Sequence, residues 1–399
     1  MATIATPKTR TALMALLTQA CELEHGLACS YLYTAFSLKQ QASEGGLTTD
    51  QARKTKFWAS QIFFVASQEM LHLAQAWNLL TSIGGTPYCL RPNLPQNSRY
   101  YPLNARIALE PFGEKALKRF IVYETPAHAA TAWVRRQATL SKAETDRGHV
   151  TIGELYGAIA DGFSSIPNLF VGNPANQADR QSLQFPDLVK VRDTASALQG
   201  IQMITDQGEG IVADRVDCHY GIFLGILKQF EEEQTSAGAK FRPARPVMEN
   251  PVADTSHGYG AVAHPIKDAL TRQTAELFDA IYLLMLQALA FAFTPAADPA
   301  RSAKAAQAAL ELMTTVIRPV GDALTRLPAG VHGLTAGPAF GLTRFVAPPD
   351  DPALVINLLR GRLGELGAEA ERLAAALASS PQLALAGSRL HDVAARCAN

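Results

Sequence analysis

The stretch Gln68-Glu69-Met70-Leu71-His72-Leu73 places a Glu and a His three residues apart inside a long apolar run of helical period. Side chains at i and i+3 share one face of a helix, so both heads project to one spot. That face also carries Val65, Ala66, Leu73, Ala76 and Leu80, and reads as core. A carboxylate buried there is costly unless it is paired, and a metal ion pairs a carboxylate and an imidazole at once. Glu-x-x-His on inward-facing helices is the ligand unit of dinuclear iron or manganese bundles, where two other helices each add a Glu. The plain alternative is a chance pair on a solvated face, so the rest of the chain must supply matching residues.

Outward from this stretch, nearly every periodic segment has the 3.6 spacing, and no alternating strand series is present. The pattern predicts helices over 8–41 and 49–83, the second capped by Thr49 and ended by Gly84-Gly85 and Pro87. A Pro- and Tyr-rich connection over 87–111 is too long for a hairpin turn and reads as the crossover some four-helix bundles need. Shorter helices are predicted over 114–123, 126–140, 151–163, 188–211 and 214–233. The Pro/Gly-rich segment 243–265 reads as a linker to a second helical unit with helices over 266–293, 298–327, 352–377 and 381–397.

Composition agrees with two units, since 399 residues exceed the usual single-domain size. Apolar residues make up 48 %, enough for real cores. Lys+Arg and Asp+Glu are equal at 36 each, which leaves no basic footprint for nucleic acid. The five cysteines contain no C-x-x-C, against a disulfide framework or zinc ribbon and for a reducing compartment. The first residues lack the apolar core of a signal peptide. The longest apolar run, 280–293, is short for a membrane span. The expectation is a cytoplasmic protein with no membrane partner.

In the first helix Glu24 has Cys21, Leu27, Ala28 and Tyr31 as its face neighbours, whereas Glu22 has Thr18, Gln19, His25 and Gly26. Glu24 is therefore the expected ligand, with Glu22 the alternative and His25 a supporting residue. Glu154 stands in Thr151-Ile152-Gly153-Glu154, a capping-box sequence whose Glu folds back on the helix start. Spacing leaves cap and ligand equally open. Glu209 lies between two glycines, locally unfavourable for a helix, and is either an ordinary helix end or a place where a site reshapes the backbone. His219 shares a face with Ile222, Phe223, Ile226 and Phe230 and is either a core histidine or a ligand. Together Glu24, Glu69, His72, Glu154, Glu209 and His219 make four carboxylates and two imidazoles, the ligand set of two adjacent iron or manganese ions. The donors disfavour copper or structural zinc. Glu209 and His219 are ten apart rather than three, so the helix must break between them, at Gly210 or near Asp214. There is no G-x-S-x-G elbow, Walker A loop or G-x-G-x-x-G after a strand.

The motifs Glu22-Leu23-Glu24-His25-Gly26-Leu27, Gln68 to Leu73, Thr151-Ile152-Gly153-Glu154-Leu155-Tyr156, Gln207-Gly208-Glu209-Gly210 and His219-Tyr220 occur in this order. With His264-Pro265, Tyr282-Leu283-Leu284-Met285-Leu286, Ile317-Arg318-Pro319 and Ala336-Gly337-Pro338 they cover about residues 12–340. In this order they resemble the ferritin-like proteins related to the iminophenyl-pyruvate dimer synthases of bis-indole biosynthesis, the violacein and rebeccamycin pathways. The resemblance implies a ferritin-like bundle, a non-haem iron site that includes Glu154, Glu209 and His219, and oxidative chemistry in secondary metabolism.

The expectation is thus an all-α protein, a ferritin-like four-helix bundle with long crossovers over 8–236 and a second C-terminal helical unit over 264–399. The expected function is an O2-dependent non-haem di-iron oxidase or oxygenase, with manganese the alternative metal, acting on a small organic molecule. Tyr31, Tyr33 and Tyr156 are core residues with a second reading as pocket-lining groups. The C-terminal helices either cap the pocket or make a homodimer contact. The rival function is an iron-storing or peroxide-detoxifying ferritin relative, against which the long crossovers and the extra unit speak.

Overall fold

A computed structural model describes residues 4–96, 106–126, 151–209, 216–254, 263–293, 299–342, 349, 351–377 and 380–398. Helices α1 (Arg10–Ser37) and α2 (Thr49–Ser82) are the long antiparallel pair on which the rest is built. Thr9 caps α1 by accepting from the Ala12 N–H. Thr48, one residue before the expected cap, closes a capping box with Gln51 at the start of α2. Gly84, at φ +86, stops α2, with the Gly85 N–H returning to the Leu80 carbonyl at 3.0 Å.

Among the described residues four shorter helices join them in the bundle: α3 (Glu114–Tyr123), α4 (Ile152–Ser165), α5 (Thr194–Gly208) and α6 (His219–Ala237). The helix expected over 126–140 falls almost wholly outside the described residues. The segment 188–193 is not helical, because Asp193 takes the N-cap and bonds the Ser196 N–H at 2.8 Å. Helix α6 starts later than expected because Cys218 is its cap. The break expected between Glu209 and His219 is present, since α5 ends at Gly208 and α6 begins at His219.

An aromatic cluster fixes how these pieces meet. Tyr31 of α1 packs on Phe120 of α3 and Phe223 of α6, at ring-centroid separations of 4.6 and 4.9 Å. Phe120 and Phe223 are 5.1 Å apart. All three are fully buried, each burial contributing roughly 1.5–3 kcal/mol. One turn beyond Phe120 stands Glu124, and one turn before Phe223 stands His219. Packing the rings therefore brings those two polar heads together.

The C-terminal helices are α7 (Ala269–Phe291), α8 (Pro299–Glu311), α9 (Arg318–Leu324), α10 (Pro352–Ala376) and α11 (Pro381–Ala398). A single helix expected over 298–327 is instead divided by a π-helical turn, Leu312–Ile317. Pro319 follows it, and a wider turn relieves the clash of the proline ring with the carbonyl four residues back. Helix α7 has the length and composition to cross a membrane, but 72 % of its most apolar window is buried inside the protein. The segment after α6 is tied down by Arg245, which donates to the Phe36 carbonyl at 2.8 Å and to Glu44 at 2.7 Å. A two-residue parallel pairing joins Pro251–Val252 to His264–Pro265.

Candidate metal centre

Glu69 stands at the middle of a buried polar cluster on the inner face of α2. Its Oε2 lies 3.2 Å from His72 Nδ1, and its Oε1 lies 2.9 Å from Nδ1 of His219 on α6. Glu24 of α1 reaches His72 Nδ1 at 3.6 Å, and Glu124, just past α3, reaches His219 Nδ1 at 3.6 Å. These five side chains are between 0 and 3 % exposed. Glu69, His72 and His219 have ligand atoms mutually within 4.8 Å.

The other nitrogen of each imidazole is held from outside. His72 Nε2 is 3.1 Å from Gln207 Oε1, and His219 Nε2 is 3.1 Å from Gln68 Oε1. An amide oxygen only accepts, so both imidazoles carry a proton on Nε2 and present Nδ1 to the carboxylates. In the neutral ring that leaves a lone pair on Nδ1, the atom a metal takes. The carboxylates are oriented in the same way. Tyr156 donates to Glu24 Oε1 at 2.6 Å, and Tyr31 donates to Glu124 Oε1. Burial, with the charge of Glu24 or Glu124 added, holds both phenols well above their ordinary pKa, so they stay donors.

Electrostatics shows how crowded the site is. Burial pushes the Glu24 carboxyl up against the opposing pull of His72. Burial also disfavours the charged forms of Glu69, His72 and His219, but opposite charges at contact distance win. The two imidazoles hold Glu69 well below the usual carboxylate range. Glu69 in turn raises His72 to about 10, and with Glu124 it raises His219 to about 9. Glu69 Oε1 and His219 Nδ1 are close but not aligned as a hydrogen bond, so two buried polar atoms converge without satisfying each other. Such a pair is what a cation between them would resolve. The donor set, carboxylate oxygens with two imidazoles, fits iron or manganese.

Of the expected ligands, the structure brings Glu24, Glu69, His72 and His219 together. The other two, Glu154 and Glu209, turn their carboxylates elsewhere. Glu154 is exposed, and its Oε2 accepts the Thr151 N–H at 2.8 Å in a complete capping box, so it faces the start of α4 and not the cluster. Glu209 comes near, since a Cβ on its neighbour Gly208 would lie 3.3 Å from Glu124 Oε2. Its own carboxylate, however, accepts the Gly153 N–H at 2.6 Å, which joins the end of α5 to the start of α4. Glu124, which falls between the helices expected over 114–123 and 126–140, stands beside His219 where a further acid was expected. Its signal was present: an acid at the C-terminal end of a helix opposes the macrodipole and here follows the apolar Phe120-Ile121 face. Glu22 is also buried, at 4 %, contrary to the wetter face expected for it, but it is Glu24 that meets His72. His25 pairs with Tyr282 of α7, away from the cluster, and Tyr33 donates to the Met248 carbonyl.

A family model described as ferritin-like matches residues 17–228. The 2-imino-3-(indol-3-yl)propanoate dimerase of Chromobacterium violaceum is 31 % identical over 388 residues, which are 90 % of this chain and 37 % of that protein. Dichlorochromopyrrolate synthase of Lentzea aerocolonigenes is 30 % identical over 403 residues, 90 % of this chain and 39 % of that protein. The chain therefore spans under two fifths of the length of these curated relatives. A solved ferritin-like protein from Caulobacter vibrioides superposes with a TM-score of 0.50 over 87 % of this chain and 100 % of that one, at 19 % identity. That last likeness is one of fold.

Proposed function

The chain belongs to the ferritin-like family, and on that footing we propose that it is a cytoplasmic di-iron oxidase or oxygenase, with manganese the alternative metal. Its partners are O2 and a small organic molecule of secondary metabolism. The observation that carries the reading is the pair of imidazoles whose Nδ1 atoms are turned onto the two oxygens of Glu69 by Gln207 and Gln68. Glu24, Glu69 and His72 would hold one metal, and Glu69, Glu124 and His219 the other. When bound, the metal pair supplies the redox chemistry that O2 requires.

The protein's own groups do the rest. Tyr156 and Tyr31 fix one oxygen of Glu24 and of Glu124, leaving the other oxygen of each turned to the cluster. The aromatic packing around Tyr31 excludes water from that side. All five cysteines are free and buried, which supports a reducing compartment. The metal centre is assigned to a bundle over 8–236, with the helices over 264–399 as a second unit. The activities named for the two relatives, a dimerase and a synthase, favour organic chemistry over iron storage.

The test is the metal content of protein from iron-supplemented cells, for wild type and Glu69→Ala/His72→Ala. About two irons per chain, lost in the double variant, is the expected result. No stoichiometric metal, even after anaerobic Fe(II) reconstitution, overturns it. Rapid iron uptake far beyond two per chain without any organic reductant would instead identify a storage protein.

A further inference from the structure

A cavity of about 550 Å3 lies where α1 and α2 meet α7 and the π-helical turn. None of the five metal-facing side chains lines it. On α2 it is walled by Phe63 and Met70, which at ~100° per residue lie about 100° or more around the helix from Glu69 and His72, with Ala66 at the border between the two faces. Its size is that of a small-molecule site.

We infer that this cavity binds a hydrophobic monoanion, with Arg318 holding the acid group and Phe63, Met285 and Met313 holding the apolar body. The charge arrangement selects the sign. Arg318 lies with its guanidinium 4.6 Å over the Phe63 ring, a stacking that leaves its in-plane N–H donors for an anion. Among the described residues no carboxylate pairs with it. Glu311 also lines the cavity, but Arg396 already neutralises it at 3.0 Å and Gln307 donates to its other oxygen at 3.0 Å. One unmatched positive charge therefore stands at the edge of an apolar space.

The wall and backbone fit a ligand site. Met70, Met285 and Met313 give an adaptable lining. The two polar side chains of the floor meet other groups, since the Tyr282 hydroxyl meets His25 Nε2 and lies 3.1 Å from Cys29 Sγ. Two locally unfavourable conformations border the same space. The π-helical turn presents Met313, Thr314 and Ile317, and Gln184 adopts φ +55. Such turns and left-handed non-glycine residues gather at functional sites.

The probe is anilinonaphthalenesulfonate, titrated by fluorescence into the full chain. Saturable binding at one site is expected, equal in wild type and Glu69→Ala/His72→Ala, so the outcome is separable from the fate of the metal reading. Thr314→Trp at the exposed mouth and Arg318→Gln should each weaken it roughly tenfold or more. Leu358→Gln, at an exposed leucine of α10 that is 59 % accessible, should leave it unchanged. Displacement by decanoate or by naphthoate, but not by their uncharged alcohols, supports the site and tells an acyl chain from a fused ring. Non-saturable binding, binding indifferent to both cavity variants, or loss in Leu358→Gln overturns it.

Discussion

His72 and His219 face each other across one carboxylate, their Nδ1 atoms 3.2 and 2.9 Å from opposite oxygens of Glu69. The rings are 5.3 Å apart and inclined by 29°. Two side chains from distant helices are thereby set to one spacing by a third, the geometry needed if Glu69 bridges two ions.

That geometry depends on the glutamines behind the rings. Gln207→Ala or Gln68→Ala removes the acceptor that keeps Nε2 protonated, and each should weaken metal binding about 10–100-fold. Competition with a chelator of known affinity measures this. Circular dichroism should be unchanged, because both glutamines are only partly buried. Wild-type affinity in both variants would show that the rings are oriented by packing alone.

Glu124 and Glu154 give opposite expectations. Glu124→Gln keeps an acceptor for Tyr31 but removes a charge from the cluster, and bound iron should fall from about two to about one per chain. Glu154→Ala should leave iron content intact and cost about 0.5–1.5 kcal/mol of stability through the lost hydrogen bond from the Thr151 N–H. Iron analysis alongside urea unfolding separates the two, and loss of iron in Glu154→Ala would restore that residue as a ligand.

The two acids also show where the sequence is legible and where it is not. The sequence reading gives α3 to the residue and α2 to within one residue at its cap and at its end, because apolar period and end signals are local. The burial of Glu69, His72 and Glu24 is legible for the same reason, each standing on a long stripe of core residues. Glu124 was not, since its partners Tyr31 and His219 lie far away in the chain and its own surroundings, before Pro126, look like a loop. Glu154 was left open between cap and ligand, and only the placement of α4 decides which way its carboxylate turns. The π-helical turn was hidden because its residues, 312–317, carry an unbroken helical pattern.

Metal binding should release protons. Without metal, His72 and His219 are raised to about 10 and about 9, and burial raises Glu24 as well. At pH 7 these groups hold protons that a ligand must give up. Calorimetry in buffers of differing ionisation enthalpy should report about two to three protons released per filled site, and affinity should fall as pH is lowered. A proton-neutral binding reaction would contradict this arrangement of charges.

The same shifts set the pH dependence of the metal-free fold. The imidazoles are raised above the ordinary 6.5, so their contribution is complete below that pH and is lost as pH rises through about 9 and 10. Glu24, raised from 4.5, acts in the same direction. Glu69 is depressed, so its contribution is present above 4.5 and lost as pH falls. Urea midpoints of metal-free protein should therefore peak in mildly acid solution and decline toward alkaline pH. Glu69→Gln should flatten the alkaline decline, and an unchanged slope in that variant would remove Glu69 as its source.

Gly172 tests how the loop after α4 is seated on the end of α2. Its N–H bonds the Ser82 carbonyl at 3.0 Å. A Cβ there would stand 2.9 Å from both the Ser82 carbonyl carbon and oxygen and still closer to the Thr81 carbonyl oxygen. These are backbone atoms of a helix end and cannot swing aside as a side chain would. The loop is held further along by Asn78, whose amide donates to the Ala178 and Val189 carbonyls at 2.9 Å, so it cannot lift as a unit without breaking those bonds. Gly172→Ala should destabilise the protein by roughly 1–3 kcal/mol, read as a lower urea midpoint. Because Gln184 lies between the Ala178 and Val189 anchors, shielded from a shift at Gly172, the variant should leave both anilinonaphthalenesulfonate binding at the cavity and metal content unchanged. A midpoint equal to wild type would mean that the loop is not seated on Thr81 and Ser82 in solution.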